Sequence, residues 1–210
     1  MAIVLNVNAV DKTAQVDFSN LVREQVLTKE PDTLAFQVKN YGTKTYRPVL
    51  GDEVTLLDGA TTIFGGYVVE LSERVDGIAR FLDVVCKDYT QILDRQLVSK
   101  VYTNQTANAI IADIISTFTT GFTVVNVVAP QTIAKVTFNY LPVSACLQKL
   151  AGILGNYDWY VDYAKDIHFF NNTTNLAPFN LTDTSQNYKF GSLDVKADTS
   201  QLRNEIIIRG

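Results

Sequence analysis

Val54-Thr55-Leu56-Leu57 runs into Asp58-Gly59, Thr61 to Leu71 follows, and Asp76-Gly77 then leads into Ile78 to Cys86. Asp-Gly tolerates the positive φ of a type I′ turn, so each pair marks a tight β-hairpin. In the third segment Phe81, Asp83 and Val85 face one way, and Leu82, Val84 and Cys86 the other, the period of a half-buried strand. Three strands joined by two tight turns predict an antiparallel meander. Gly65-Gly66 falls inside the middle strand. A glycine pair there predicts a bulge or a close approach of another backbone.

The composition agrees with a sheet. Val, Ile and Thr make up 60 of the 210 residues, and β-branched side chains fit a pleated surface. Upstream, residues 3–10 predict a first strand. Residues 33–39 predict another, with Leu34, Phe36 and Val38 on its buried face. Downstream, Asp88 to Leu97 has helical or turn-like spacing. Ala107, Ile110, Ile111, Ile114, Ile115 and Phe118 then form one helical stripe, with Asn104 as N-cap and Gly121 as terminator. Residues 122–128 and 133–140 read as strands. Pro142 opens a second helix at its first position, with Val143, Cys146, Leu147, Leu150 and Leu154 on its apolar face and Gly155 closing it. Asp158–Tyr163 and Asp166–Phe170 form a hairpin across Ala164-Lys165. Residues 171–187 read as a loop, and 191–197 and 205–209 as late strands. The class is mainly β with two amphipathic helices, closer to α+β than to α/β.

Charge and rare residues exclude several functions. The chain carries 18 basic and 22 acidic residues, a net charge of −4, with no Lys/Arg cluster. This argues against a groove built on phosphate contacts. Apolar runs fall far short of the roughly 18 residues of a membrane span, and no secretory signal opens the chain. One histidine and two cysteines 60 positions apart exclude His-rich zinc sites and disulfide frameworks. Neither a P-loop, nor a dinucleotide-binding glycine motif, nor a nucleophile elbow occurs. No cofactor, metal or small-molecule substrate is expected.

The remaining constellations are few. His168 shares a strand face with Asp166, but without a serine elbow the pair predicts no catalysis. Asp158 and Asp162 flank Trp159 and Tyr160, which resembles a glycosidase pair; solvated turn residues beside a core tryptophan explain them better. Cys86 and Cys146 fall on apolar stretches and read as buried free thiols. Trp159, Tyr160, Tyr163 and Phe169 form a candidate aromatic interface or binding patch. No catalytic residue is expected, so binding or assembly is the better class.

The order of segments resembles a known family. Gly51-Asp52-Glu53-Val54, followed by Ile63-Phe64-Gly65-Gly66-Tyr67-Val68, resembles an element of the baseplate hub and tail-tip proteins of tailed bacteriophages, relatives of type VI secretion spike bases. Val84 to Tyr89, Val101-Tyr102 and the first helix resemble the family's link between two domains. Val143 to Ala151 followed by Trp159 to Asp162 and Ile167 to Phe169 resembles its helix and hairpin. Leu202 to Gly210 resembles its returning strand. The resemblance implies two β-barrel-like domains: residues 1–95 plus about 200–210, and residues 96–199 with helices near 105–119 and 142–154. It implies a homotrimeric ring that adapts a sixfold tail tube to a threefold tip. The ring would line a conduit for the tape-measure protein and for DNA in transit. Distal tail or tail-tube proteins would be its partners, and the virion its location after assembly in the bacterial cytoplasm. A carbohydrate- or receptor-binding module is the alternative.

Overall fold

The computed structural model describes residues 3–27 and 29–174. Seven strands form one antiparallel sheet: β1 (Ile3–Val7), β2 (Val10–Asp11), β3 (Val16–Glu24), β4 (Thr33–Asn40), β5 (Glu53–Asp58), β6 (Thr61–Asp76) and β7 (Ala79–Asp88). Their order is β2-β1-β5-β6-β7-β4-β3. The sheet curls into a half-barrel. The expected meander is its centre, β5-β6-β7. Alternation puts Leu34, Phe36, Val38, Val54, Leu56, Phe64, Val68, Leu82, Val84 and Cys86 on one face, together with Leu5 and Val7 from β1. All are essentially dry, and burying each such side chain stabilises the fold by about 1.5–3 kcal/mol.

Both hairpin turns differ by one residue from the expected pairing. Asp58 pairs with Thr61 and Asp76 with Ala79, so Gly59-Ala60 and Gly77-Ile78 are the central residues. Only the glycine of each pair has a positive φ, +61° and +58°. That is the pattern of a type II′ turn, with glycine at its first central position. The glycine pair of β6 marks a close approach. A Cβ on Gly66 would lie 2.1 Å from the Lys87 carbonyl oxygen, and one on Gly65 would lie 2.8 Å from the Tyr89 ring. The bulges sit elsewhere on β6, at Ile63 opposite Leu56/Leu57 and at Val69 between Val68 and Glu70.

Beyond the sheet, a 3-10 turn over Tyr89–Asp94 leads into β8 (Leu97–Thr106), α1 (Ala107–Phe118), β9 (Thr132–Pro142), α2 (Val143–Leu154), β10 (Tyr157–Val161) and β11 (Ile167–Asn171). β8 pairs with β9, and β10 with β11, as two antiparallel ribbons. The helices pack with these ribbons around a second core that includes Ile110, Ile114, Phe138, Leu147, Trp159 and Phe169. Lys100 and Tyr102 of β8 both reach the Asp113 carboxylate on α1, at 2.6 and 2.5 Å.

Several boundaries correct the expectation. The strand expected over 3–10 is broken at Asn8-Ala9, both with positive φ, and turns back as β2. Thr106, not Asn104, caps α1: its hydroxyl oxygen accepts the Ala109 N–H. Asn104 lies inside β8 with φ +50°. Pro142 precedes α2 as its cap instead of opening it. Residues 122–128 form no regular strand; they run beside the end of the hairpin, with isolated parallel bridges from Thr123 to Asp166 and from Val127 to Phe169. Positions 175–187 of the expected loop and the expected strands 191–197 and 205–209 lie outside the described residues.

Candidate functional site

Strand alternation divides the aromatic residues of β10 and β11. Trp159 and Phe169 are partners across the ribbon and face the second core, 1% and 0% exposed. Trp159 therefore has no open face on which to stack a ligand. Tyr160 lies on the opposite face, beside His168, with ring centroids 4.4 Å apart and planes 12° from parallel. Tyr163 lies past the end of β10 and packs on the first core, its ring centroid 6.0 Å from that of Phe64. Of the four candidate patch residues, only Tyr160 and Tyr163 border open space. They line a cavity of about 520 Å³ together with Val26, Leu27, Asp32 and Asp88.

Asp32 organises that cavity. Its carboxylate accepts the Tyr163 hydroxyl and, at 2.7 Å, the Val26 N–H. Its carbonyl accepts the Asp88 N–H at 3.0 Å. Burial, reinforced by this bond to a carboxylate, holds the Tyr163 hydroxyl above its usual range. Asp88 is 4% exposed and caps the 3-10 turn by accepting the Thr90 N–H. Burial pushes its carboxyl up to about 6, overcoming the hydrogen bonds that favour its charged form, and nearby Asp32 adds to the rise.

A second junction joins the sheet to the β10–β11 turn. Lys165 Nζ lies 2.9 Å from Glu53 Oε1 and 3.2 Å from the Tyr67 hydroxyl. It also sits 4.4 Å from the centroid of the Tyr89 ring, within cation–π range. The Tyr89 hydroxyl donates to the same Glu53 oxygen at 2.7 Å. Burial alone would raise Glu53, but the bonds from Lys165 and Tyr89 hold its carboxyl below the ordinary value.

His168 meets two carboxylates. Its Nε2 is 3.1 Å from Asp162 Oδ2 and 3.9 Å from Asp166 Oδ2, and its Nδ1 is 3.1 Å from the Tyr160 hydroxyl. Asp166 anchors the neighbouring loop by accepting the Thr123 hydroxyl, the Val125 and Asn126 N–H groups and the Asn126 amide. Burial would raise its carboxyl, yet these four bonds keep it below the usual range. No serine, threonine or cysteine is bonded to His168 among the described residues. Asp158 is paired with Lys29 and Asn172 instead. Four residues along a strand separate Asp158 from Asp162, roughly 13 Å, too far for either glycosidase geometry. Cys86 and Cys146 are free and buried. Burial pushes both thiols up to about 12, where a thiolate nucleophile is scarce.

No family model matches this chain, and no curated protein matches it. Solved structures do. The 43 kDa tail protein of prophage MuSo2 from Shewanella oneidensis superposes with a TM-score of 0.67 at 16% identity, covering 80% of this chain and 53% of that one. Prophage tail protein gp18 from Listeria monocytogenes EGD-e gives 0.61 at 12% identity, covering 80% and 50%. The E. coli c3393 protein, a type VI secretion component described as similar to T4 bacteriophage tail proteins, gives 0.56 at 17%, covering 80% and 48%. The fold is the phage tail protein fold. This chain spans about half the length of the tail proteins it matches. The tail-protein fold explains why the expected order of meander, helix, helix and hairpin is observed. It assigns no role to the Asp32–Tyr163 or Glu53–Lys165 contacts, neither of which was expected from the sequence. No local signal marks them, since 131 and 112 positions separate the partners.

Proposed function

We propose that this protein is a structural component of a bacteriophage or prophage tail tip or baseplate hub. What carries the reading is one fold, covering 80% of the chain, that recurs in prophage tail proteins of Shewanella and Listeria and in a type VI secretion component. The chemistry is compatible with a role that needs surfaces more than reactive groups. Its one histidine is in contact with one aspartate carboxylate and a tyrosine, and its thiols are buried.

In this reading three subunits close a ring that joins a sixfold tail tube to a threefold tip. Residues 1–95 with about 200–210 form one barrel-like domain and residues 96–199 the other. Two similar domains in each of three subunits supply six similar contacts to the tube. The ring lines the path of the tape-measure protein and of DNA. A net charge of −4 suits such a path, because a basic lining would retain phosphates. The face of the β8–β9 ribbon turned away from the second core, uncovered among the described residues, supports a subunit contact, since Leu97 and Val101 stand 53% and 54% exposed on it. The sugar-binding alternative loses its main platform, because Trp159 is core.

The test is molar mass by light scattering across a concentration series, with negative-stain imaging of the same sample. The expected result is a species of about three times 23.3 kDa that images as a threefold ring. A chain that stays monomeric at every concentration, and also in the presence of a matching tail-tube protein, would overturn the ring.

A further inference from the structure

We propose that Asp162, Asp166 and His168 form a binding site for one divalent transition-metal ion of the zinc or cobalt class. The three residues lie in and beside the turn that joins β10 to β11, at spacings of four and two. Each offers one ligand atom, and these atoms lie within 4.8 Å of one another. Bonds of about 2.0–2.2 Å to nitrogen and oxygen place neighbouring ligand atoms roughly 3.0–3.5 Å apart. The observed separation from His168 Nε2 to Asp162 Oδ2 is 3.1 Å, and that to Asp166 Oδ2 is 3.9 Å. Small rotations of Asp162 and His168 close the set on Asp166, whose Oδ2 is held in place by the Asn126 N–H and amide bonds it accepts.

The groups behind the ligands are also placed as a metal site needs them. A ligating imidazole needs its ring orientation fixed, and here the Tyr160 ring stacks on His168 with centroids 4.4 Å apart, its hydroxyl 3.1 Å from Nδ1. The rings are 12° from parallel, so the tyrosine hydroxyl sits over the imidazole face, and Nε2 at the ring's far edge is left facing the carboxylates. Asp162 is oriented through its other oxygen, because Oδ1 accepts the Ala164 and Asp166 N–H groups, both at 2.9 Å. Its Oδ2 is left toward His168. Asp166 is fixed by the loop that follows α1. Two carboxylates offset the charge of a divalent ion. The imidazole favours zinc or cobalt over magnesium, which prefers an all-oxygen shell. Asp162 and His168 are partly exposed, so the ion has a path in and solvent can supply the remaining coordination. An ion here braces the turn that also carries Lys165 across to Glu53, and its role is structural.

The chain has one histidine, so its imidazole resonances report on this site without ambiguity. The EDTA-treated 210-residue protein is titrated with zinc chloride and followed by imidazole NMR and by calorimetry. The expected result is one zinc per chain, saturable displacement of the His168 signals, and no comparable response to magnesium. H168A and D162N, checked for folding by circular dichroism, weaken zinc binding at least about tenfold. D158N, which removes a nearby carboxylate outside the set, changes affinity less than about twofold. His168 signals that stay unmoved through the titration overturn the site, as does H168A binding zinc like the parent protein.

Discussion

Lys165 Nζ and Glu53 Oε1 lie 2.9 Å apart across 112 positions of sequence, and they join the β10–β11 turn to the start of β5. Tyr67 and Tyr89 flank the ammonium group, so the pair combines an ion pair with two aromatic faces. Both side chains keep contact with solvent, at 27% and 38% exposure, which limits the energy of the charge pair. K165M is expected to destabilise the protein by about 1–2 kcal/mol, counting the cation–π contacts. A double-mutant cycle with E53Q should give a coupling of about 1 kcal/mol. Because the folded state holds Glu53 below its ordinary value, this contribution is present above that value and disappears as pH falls through the folded one. Urea unfolding of the parent and E53Q at neutral and acid pH measures it. Equal losses on acidification in both proteins would show that the coupling lies elsewhere.

Gly66 is the backbone counterpart of that contact region. A Cβ there would meet the Lys87 carbonyl oxygen at 2.1 Å and the Asp88 Cα at 2.7 Å. Both are backbone atoms in the centre of the sheet, with no side-chain freedom to yield. G66A is expected to cost about 3 kcal/mol or more, at the upper end of overpacking effects. At Gly65 the clash is with the Tyr89 ring, which can rotate or shift. G65A should therefore cost less, and Y89A should partly relieve it. Thermal unfolding of the three variants and the G65A/Y89A double variant decides between a backbone and a side-chain clash.

Asp88 is expected to make the protein less stable at neutral pH than its structure otherwise allows. Its folded-state carboxyl is raised to about 6 from an ordinary 3.8, because burial disfavours the charge. The folded state then binds more protons than the unfolded state between those values. Stability falls as pH rises through that window, by up to about 3 kcal/mol for a two-unit shift. D88N keeps an oxygen to accept the Thr90 N–H and removes the charge. It should be more stable than the parent at pH 7.5 by about 1–3 kcal/mol, with the gain vanishing near pH 4. A gain that stays constant across pH would show that burial of the charge is not its cause.

The sequence was most legible where one face of an element is dry and the other wet. β4 through β7 announced themselves by Leu34, Phe36 and Val38 and by Leu82, Val84 and Cys86, which the fold buries together. Both helices did so by their Ile and Leu stripes. β3 escaped because it is an edge strand with most positions exposed on both sides, so no alternation marks it. The Asn8-Ala9 turn escaped because alanine rarely takes a positive φ and carries no turn signal. The site was harder to read. Tyr160 and Tyr163 were singled out as aromatics, but not what they touch. Asp32, Asp88, Glu53 and Lys165 look like ordinary charged residues until folding brings them together. Trp159 carried the opposite lesson: a large aromatic between polar neighbours is a core residue when its strand alternates.

The exposed face of β8 gives the assembly reading its sharpest test. Val98 and Tyr102 point into the second core, and Lys100 reaches back to Asp113 on α1. Leu97 and Val101 consequently point the other way, into solvent. A charge at Val101 meets no buried group among the described residues, so V101E should change monomer stability by no more than about 0.5 kcal/mol. In a ring that packs this face against a neighbour, the same carboxylate is stripped of water without a partner, at a cost of several kcal/mol. V101E should therefore unfold at the parent's temperature under monomeric conditions, yet fail to form the species of three chains. V101T, which exchanges one methyl for a hydroxyl, should assemble with a smaller penalty. A V101E protein that forms rings as readily as the parent would move the subunit contact off this ribbon, and β3, an edge strand among the described residues with Phe18 and Val22 exposed, would be the next to charge.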